Sequence, residues 1–219
     1  MKALLFDFDG LLMDTETPEV EIWQQIYQQH GVEFPLQTWI KKVVGSTDDN
    51  FNPAVHLAEL TGLPLNPVEV RNEARRKRLD IQSRLEALPG ARQMLADARC
   101  LGLRQVIVSS SPHWWVDGYL EQLKIRNYFE HVICREDAGQ PKPAPDLYLA
   151  ALARLHLPGE QCLAFEDSPN GVRAAREAGI RVVGVPNPIT RQADPLKAHL
   201  LLSSLAEMPL EVLLARFED

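Results

Sequence analysis

Four apolar residues, Ala3-Leu4-Leu5-Phe6, run straight into Asp7-Phe8-Asp9-Gly10, and this junction constrains the fold more than any other segment. An unbroken apolar run of that kind reads as a strand buried on both faces, which places it inside a parallel sheet. The two carboxylates at its end are not packing residues, because charged side chains are rarely buried without a partner. In open parallel sheets the carboxyl ends of strands line the ligand crevice, so the pair is expected at a reaction centre. A strand closed by an Asp-Gly turn would look the same locally. Three further segments decide between the two readings.

From about Leu85 onward, short β-rich runs alternate with helical patterns. Gln105-Val106-Ile107-Val108 is followed by a helix to about Leu123 and then by His131-Val132-Ile133-Cys134. The next helix is expected to start near Pro143, with Tyr148, Ala151, Leu152 and Leu155 on one apolar stripe. After strand Cys162-Leu163-Ala164-Phe165, Ser168 reads as an N-cap, Pro169 as the first helical residue and Gly179 as the stop, before a strand over 180–185. Alternation of this kind predicts an α/β fold with a parallel sheet. Between residues 17 and 84 the period changes: helical patterns, no β run, and a basic cluster at Arg71, Arg75, Arg76, Lys77 and Arg78. This is a helical insertion after the first strand, with Trp23 and Trp39 in its interior and Phe51, His56, Leu57 and Leu60 on a core stripe.

The 219 residues, 45% hydrophobic, suffice for one domain with a smaller insert. A net charge of −7 opposes contact with nucleic-acid phosphates, while small anions need only a local positive site. Cys100, Cys134 and Cys162 are odd in number and lack metal-like spacing, so free thiols in a reducing cytoplasm are expected. Asp7 and Asp9 interrupt the apolar start before it reaches signal-peptide length, and no run approaches the roughly 18 residues of a membrane span. The expectation is a cytoplasmic monomer with no nucleic-acid and no membrane partner.

Four positions at strand ends and helix starts carry polar groups: Asp7 and Asp9, Ser109-Ser110-Ser111, Lys142, and Glu166-Asp167. Each has a plain local explanation. The serines can cap the helix after Pro112, Lys142 can be a solvated surface residue at the positive end of a helix dipole, and Glu166-Asp167 can complement a helix N-terminus. Their joint occurrence in one α/β chain fits phosphoryl transfer instead. A phosphoester dianion repels a carboxylate nucleophile, so such a site needs a divalent cation, hydroxyl or N–H donors, and a cation for the equatorial oxygens. Acidic oxygen ligands without nearby His or Cys select a hard ion such as Mg²⁺ rather than zinc.

In order and character, these segments resemble the motifs of the haloacid dehalogenase (HAD) superfamily. Asp7-x-Asp9-Gly10 with Lys142-Pro143-Ala144-Pro145-Asp146 looks like its β-phosphoglucomutase-like branch. The resemblance spans essentially the whole chain. It implies a Rossmann-like core over 1–16 and 85–219 with a small helical cap domain over 17–84, closing over the site. It implies Asp7 as the nucleophile that forms an aspartyl-phosphate and Asp9 as the acid/base. Ser109 and Ser110 would bind the phosphate, Lys142 would bridge the phosphate and Asp7, and Mg²⁺ would be held by Asp7, the backbone carbonyl of Asp9, and Asp167, with Glu166 ligating or supporting it.

Asp9 argues against carbon–halogen cleavage, since the dehalogenases that the pattern resembles lack an acid two residues after the nucleophile. A phosphonate-cleaving relative would need a cap lysine, and nothing marks Lys41, Lys42 or Lys77 as desolvated. A sugar-phosphate mutase must grip a second phosphate soon after a cap glycine. Here Gly45-Ser46-Thr47 leads to Asp48 and Asp49, and Glu19 stands where the mutase-type relatives place a His. Against this, one member of the basic cluster could face the site. A phosphatase for a small phosphorylated metabolite, a sugar or polyol phosphate, is therefore expected, with the mutase as the alternative. A non-catalytic phosphometabolite sensor would not need all four of Asp7, Asp9, Lys142 and Asp167. Trp114 and Trp115 follow the serine loop, either lining the mouth of the site or packing between core and cap.

Overall fold

The computed structural model describes residues 1–45, 51–82, 85–193 and 195–217. Strand β1 (Ala3–Phe6) leads into four helices, α1 (Glu16–Gln29), α2 (Leu36–Lys42), α3 (Pro53–Thr61) and α4 (Pro67–Gln82). Then follow α5 (Ala91–Cys100), β2 (Arg104–Val108), α6 (His113–Gln122), β3 (His131–Ile133), α7 (Asp146–Leu155) and β4 (Cys162–Glu166). The chain continues through α8 (Pro169–Glu177), β5 (Arg181–Gly184), β6 (Leu200–Leu201) and α9 (Leu210–Ala215).

The strands form one parallel sheet in the order β3-β2-β1-β4-β5-β6. β1 is paired on both sides, with Leu4 opposite Gln105 of β2 and Leu163 of β4, and all four of its residues are fully buried. Its alternation feeds two cores. Leu4 and Phe6 pack with α5 and α6 residues such as Leu95 and Leu120, whereas Ala3 and Leu5 pack with α7 and α8 residues such as Tyr148 and Val172. Strand order reverses between β1 and β4, so the crevice at their carboxyl ends is the topological switch point.

Helices α1 to α4 build a third core of their own around Trp23, Ile26, Tyr27, Trp39, Leu57 and Ala74. Only Ile189 reaches this cluster from the sheet-bearing part among its buried members. Polar contacts also join the two parts: Asn170 Nδ2 donates to the Val44 carbonyl at 2.9 Å and Ser110 Oγ to the Gly45 carbonyl at 3.3 Å.

The local signals around α8 hold in detail. Ser168 Oγ accepts the Gly171 N–H, Pro169 opens the helix, and Gly179 takes the left-handed conformation just past its end. Three expectations need correction. The helix expected near Pro143 begins at Asp146, because the prolines at 143 and 145 bias Lys142 and Ala144 away from helical geometry. Leu60 is exposed rather than part of a core stripe, and Phe51 lies before α3. Asp48 and Asp49 fall outside the described residues. Among the described residues, no helix is long and apolar enough to cross a membrane.

Candidate active site

The carboxyl ends of β1, β2 and β4 deliver Asp7, Ser109 and Glu166 to one place, and the turn before α7 adds Lys142. Lys142 is completely buried, and its Nζ donates to Asp7 Oδ1 at 2.7 Å, Glu166 Oε1 at 2.6 Å and the Val108 carbonyl at 2.7 Å. Neither a solvated lysine nor a helix-dipole position describes it. Burial alone would lower its pKa, but the charges of Asp7 and Glu166 outweigh that and hold it well above the usual ammonium range. Tyr148, placed on the apolar stripe of α7, is also fully buried and donates its hydroxyl to Glu166 Oε1 at 2.5 Å.

Asp7, Glu166 and Asp167 each bring a carboxylate oxygen into a cluster whose members lie within 4.8 Å of one another. Burial, followed by the charge of Asp7, pushes Glu166 up to about 7 and Asp167 well above the usual carboxylate range. Glu166 Oε2 and Asp167 Oδ1 are buried without a hydrogen-bond partner among the described residues. Asp167 Oδ2 accepts from Asn187 Nδ2 at 2.7 Å. Gly10, at φ +79°, has no space for a Cβ beside Asp167 and Asn187, and a Cβ on Gly171 would collide with the Glu166 carboxylate. Orphaned carboxylate oxygens, an all-oxygen donor set and glycines making room around it fit a hard divalent cation.

Asp9 stands apart from this cluster as a half-buried carboxylate held by hydroxyls and an indole. Oδ1 accepts from Thr15 Oγ1 and Trp115 Nε1, both at 2.9 Å, and Oδ2 from Ser111 Oγ at 2.6 Å and Ser109 Oγ at 3.4 Å. Burial raises its pKa against the lowering effect of Ser111 and Trp115. The serine loop thus serves Asp9 rather than capping α6, whose N-cap is Pro112 and whose first N–H, on His113, donates to Glu136 Oε2 at 3.1 Å instead. Ser110 differs: its hydroxyl accepts the Lys142 N–H at 3.2 Å as it donates to Gly45.

Asp7, Asp9, Ser109 and Ser110 line a cavity of about 340 Å³ whose other wall comes from the helical insert, through Trp39, Ile81 and Arg78. Of the basic cluster, Arg78 lines this cavity, its guanidinium forked onto Glu19 with Nε–Oε2 at 2.6 Å and Nη2–Oε1 at 2.5 Å. Glu19 also accepts from Trp23 Nε1 at 2.9 Å. Glu16 lines the cavity too, pushed up to about 8 by burial and then by the charges of Asp9 and Glu19. Sequence reasoning did not find Thr15, Glu16, Tyr148 or Asn187 as site residues. Asn187 follows the end of β5, so the strand-end logic that found the others reaches it as well.

Fold and site define an α/β protein whose candidate catalytic groups sit at the sheet's switch point beneath a helical insert. The model of the haloacid dehalogenase-like hydrolase family matches residues 4–185. The protein YhcW of Bacillus subtilis is 42% identical over 217 residues, 98% of this chain and 96% of that protein. The phosphorylated carbohydrates phosphatase of Thermotoga maritima is 29% identical over 196 residues, 84% of this chain and 85% of its own length. A HAD-family hydrolase from Deinococcus radiodurans, solved with bound phosphate and sodium, has a TM-score of 0.80 at 26% identity, covering 99% of this chain and 96% of that one. The chain belongs to the haloacid dehalogenase-like hydrolase family, in its β-phosphoglucomutase-like phosphatase branch, and is an enzyme of the phosphoric monoester hydrolase class.

Proposed function

We propose that this enzyme is a Mg²⁺-dependent phosphatase that hydrolyses the phosphomonoester of a small metabolite, a sugar or polyol phosphate, through an aspartyl-phosphate on Asp7. The observation that carries this reading is the buried contact of Lys142 Nζ with Asp7 at 2.7 Å beside the Asp7, Glu166 and Asp167 oxygen cluster, with Asp9 on the same cavity. The Thermotoga maritima relative, named for phosphorylated carbohydrates, and the phosphate bound by the Deinococcus radiodurans relative support the substrate class.

In this mechanism an Asp7 oxygen attacks phosphorus as the ester P–O bond breaks, and protonated Asp9 gives its proton to the departing oxygen. Asp9 then takes a proton from water as that water attacks the phosphorus of the acyl phosphate. Inorganic phosphate leaves, Asp7 is free again and Asp9 is protonated again. The raised pKa of Asp9 favours the proton-bearing form, and its hydroxyl and indole donors hold the carboxylate after the proton has gone. Lys142 neutralises Asp7 and a phosphoryl oxygen, Ser109 donates its hydroxyl to the phosphate, and Ser110, whose hydroxyl is committed elsewhere, contributes its backbone. Asp7, Glu166, Asp167 and the backbone carbonyl of Asp9 would hold Mg²⁺, which supplies positive charge against the phosphoryl oxygens when bound. The rim does not favour a mutase: among the described residues lining the cavity wall, Arg78 is the sole cation and Glu19 engages it.

The test is phosphate release from a panel of sugar, polyol and nucleotide monophosphates, with Mg²⁺ and after thorough chelation. Release that requires Mg²⁺, together with a rise in melting temperature on adding the metal alone, is the expected result. Full release after chelation removes the metal assignment, and release from no ester removes the phosphatase.

A further inference from the structure

Two adjacent tryptophans open α6, and the structure uses them differently. Trp115 is turned inward: its Nε1 donates to Asp9 and its ring meets Tyr119 edge-on at 4.9 Å between centroids. Trp114 is 73% exposed, the most exposed large hydrophobic residue described, and yet it lines the same cavity as Asp7 and Asp9. Its ring stands perpendicular to that of Trp115, with centroids 5.8 Å apart and planes at 87°. The contact sets the indole against its neighbour and leaves most of its surface open. Burying Trp114 is therefore not what keeps the pair in place; Trp115 already fills the interior position.

The outer wall is apolar at Trp39, Val43, Ile81 and Leu85 and charged at Glu16, Glu19 and Arg78. Its charged members offer nothing to a second anion. Arg78 is forked onto Glu19, and Glu16 and Glu19 carry no positive charge. A cavity whose polar groups gather at the phosphate end and about the Arg78–Glu19 fork, with an apolar stretch of wall and an exposed indole beside them, is complementary to a neutral group with a flat apolar face.

We infer that Trp114 is the specificity-determining platform of this site, stacking against the ring of an uncharged leaving group, so that the preferred substrates are ring-bearing monophosphates rather than acyclic polyol phosphates or bisphosphates. The inference rests on the phosphatase reading and narrows it. The shared chemistry is the apolar ring face, which a cyclic sugar and a nucleobase both present.

Calorimetric binding to the Asp7→Asn variant, with Trp114 intact, changed to Ala or changed to Phe, tests it directly. The ligands are a hexopyranose 6-phosphate, a nucleoside 5′-monophosphate, glycerol 3-phosphate and a hexose bisphosphate. At least one ring-bearing monophosphate is expected to bind about tenfold more tightly than glycerol 3-phosphate, and which one does so identifies the ring. Trp114→Ala should collapse that ratio toward one, Trp114→Phe should keep most of it, and the bisphosphate should bind no better than the matching monophosphate. Equal binding of ring and acyclic esters, binding of none, or a ratio unmoved by Trp114→Ala overturns the inference. Phosphate release by the unmodified enzyme is read separately. Its absence alongside a Trp114-dependent preference would sink the phosphatase and leave the platform standing.

Discussion

The floor of the cavity and its rim draw on the same residue types, lysine or arginine against carboxylates, under opposite conditions. At the floor, Lys142, Asp7, Glu166 and Asp167 are all buried, and each contact has a short fixed length. At the rim, Arg78 and Glu19 form an equally short fork, but the Arg78 side chain is 36% exposed and water competes for both groups. A buried charge without its partner is costly, whereas an exposed pair contributes about 0–1 kcal/mol. The floor therefore admits almost no substitution and fixes the chemistry, while the rim can change its residues cheaply and so adjust what is bound.

The largest effect that would break this contrast is at the floor. Lys142→Ala leaves the Asp7 and Glu166 carboxylates buried and uncompensated, and should cost about 3–5 kcal/mol of stability. Urea unfolding in chelator measures it, and a loss below about 1 kcal/mol would show that the floor behaves like the rim.

The smallest expected effect lies just outside the cavity, in His113 beside the tryptophans. Its ring lies 2.7 Å from Asp137 Oδ2 and 3.2 Å from Asp117 Oδ2; partial burial lowers its pKa, but the hydrogen bonds and charges of Asp137 and then Asp117 together outweigh that and hold it above the ordinary 6.5. A folded pKa above the unfolded one gives stability that is fully present below about 6.5 and lost as pH rises through the folded value. His113→Gln should therefore lower the melting temperature modestly near pH 6 and hardly at all near pH 9. An equal loss at both values would remove His113 as a charged partner of these carboxylates.

What the sequence disclosed divides along the same line. Features set by neighbouring residues were legible: the apolar run of β1, the Ser168-Pro169 start of α8, and the Gly179 stop. The polar strand ends were legible as a set because an α/β sheet gathers them at one edge. The contact of Lys142 with Asp7 came only through the family resemblance, since the two lie 135 residues apart and only the fold joins them, and its bonds to Glu166 and the Val108 carbonyl left no sign in the sequence. The prolines around Lys142 were read as a helix start, when their backbone restriction delays α7 to Asp146. Trp115 gave no local sign that its N–H would reach Asp9, because the direction of a side chain in a first helical turn depends on what packs against it. Tyr148 was placed correctly on the buried stripe of α7, but a stripe says nothing about its hydroxyl, which serves Glu166. The two-residue strand β6 is too short to leave a pattern.

The central claim is that Asp7 is phosphorylated during turnover. Rapid acid quench of the enzyme with a substrate identified by phosphate release, followed by digestion and mass measurement, tests it most directly. The account predicts one phosphoryl group on the peptide containing Asp7, with none on Asp7→Asn and turnover reduced on the order of 10⁴-fold or more in that variant. A phosphoryl group on another residue, or near-normal turnover by folded Asp7→Asn, would contradict it.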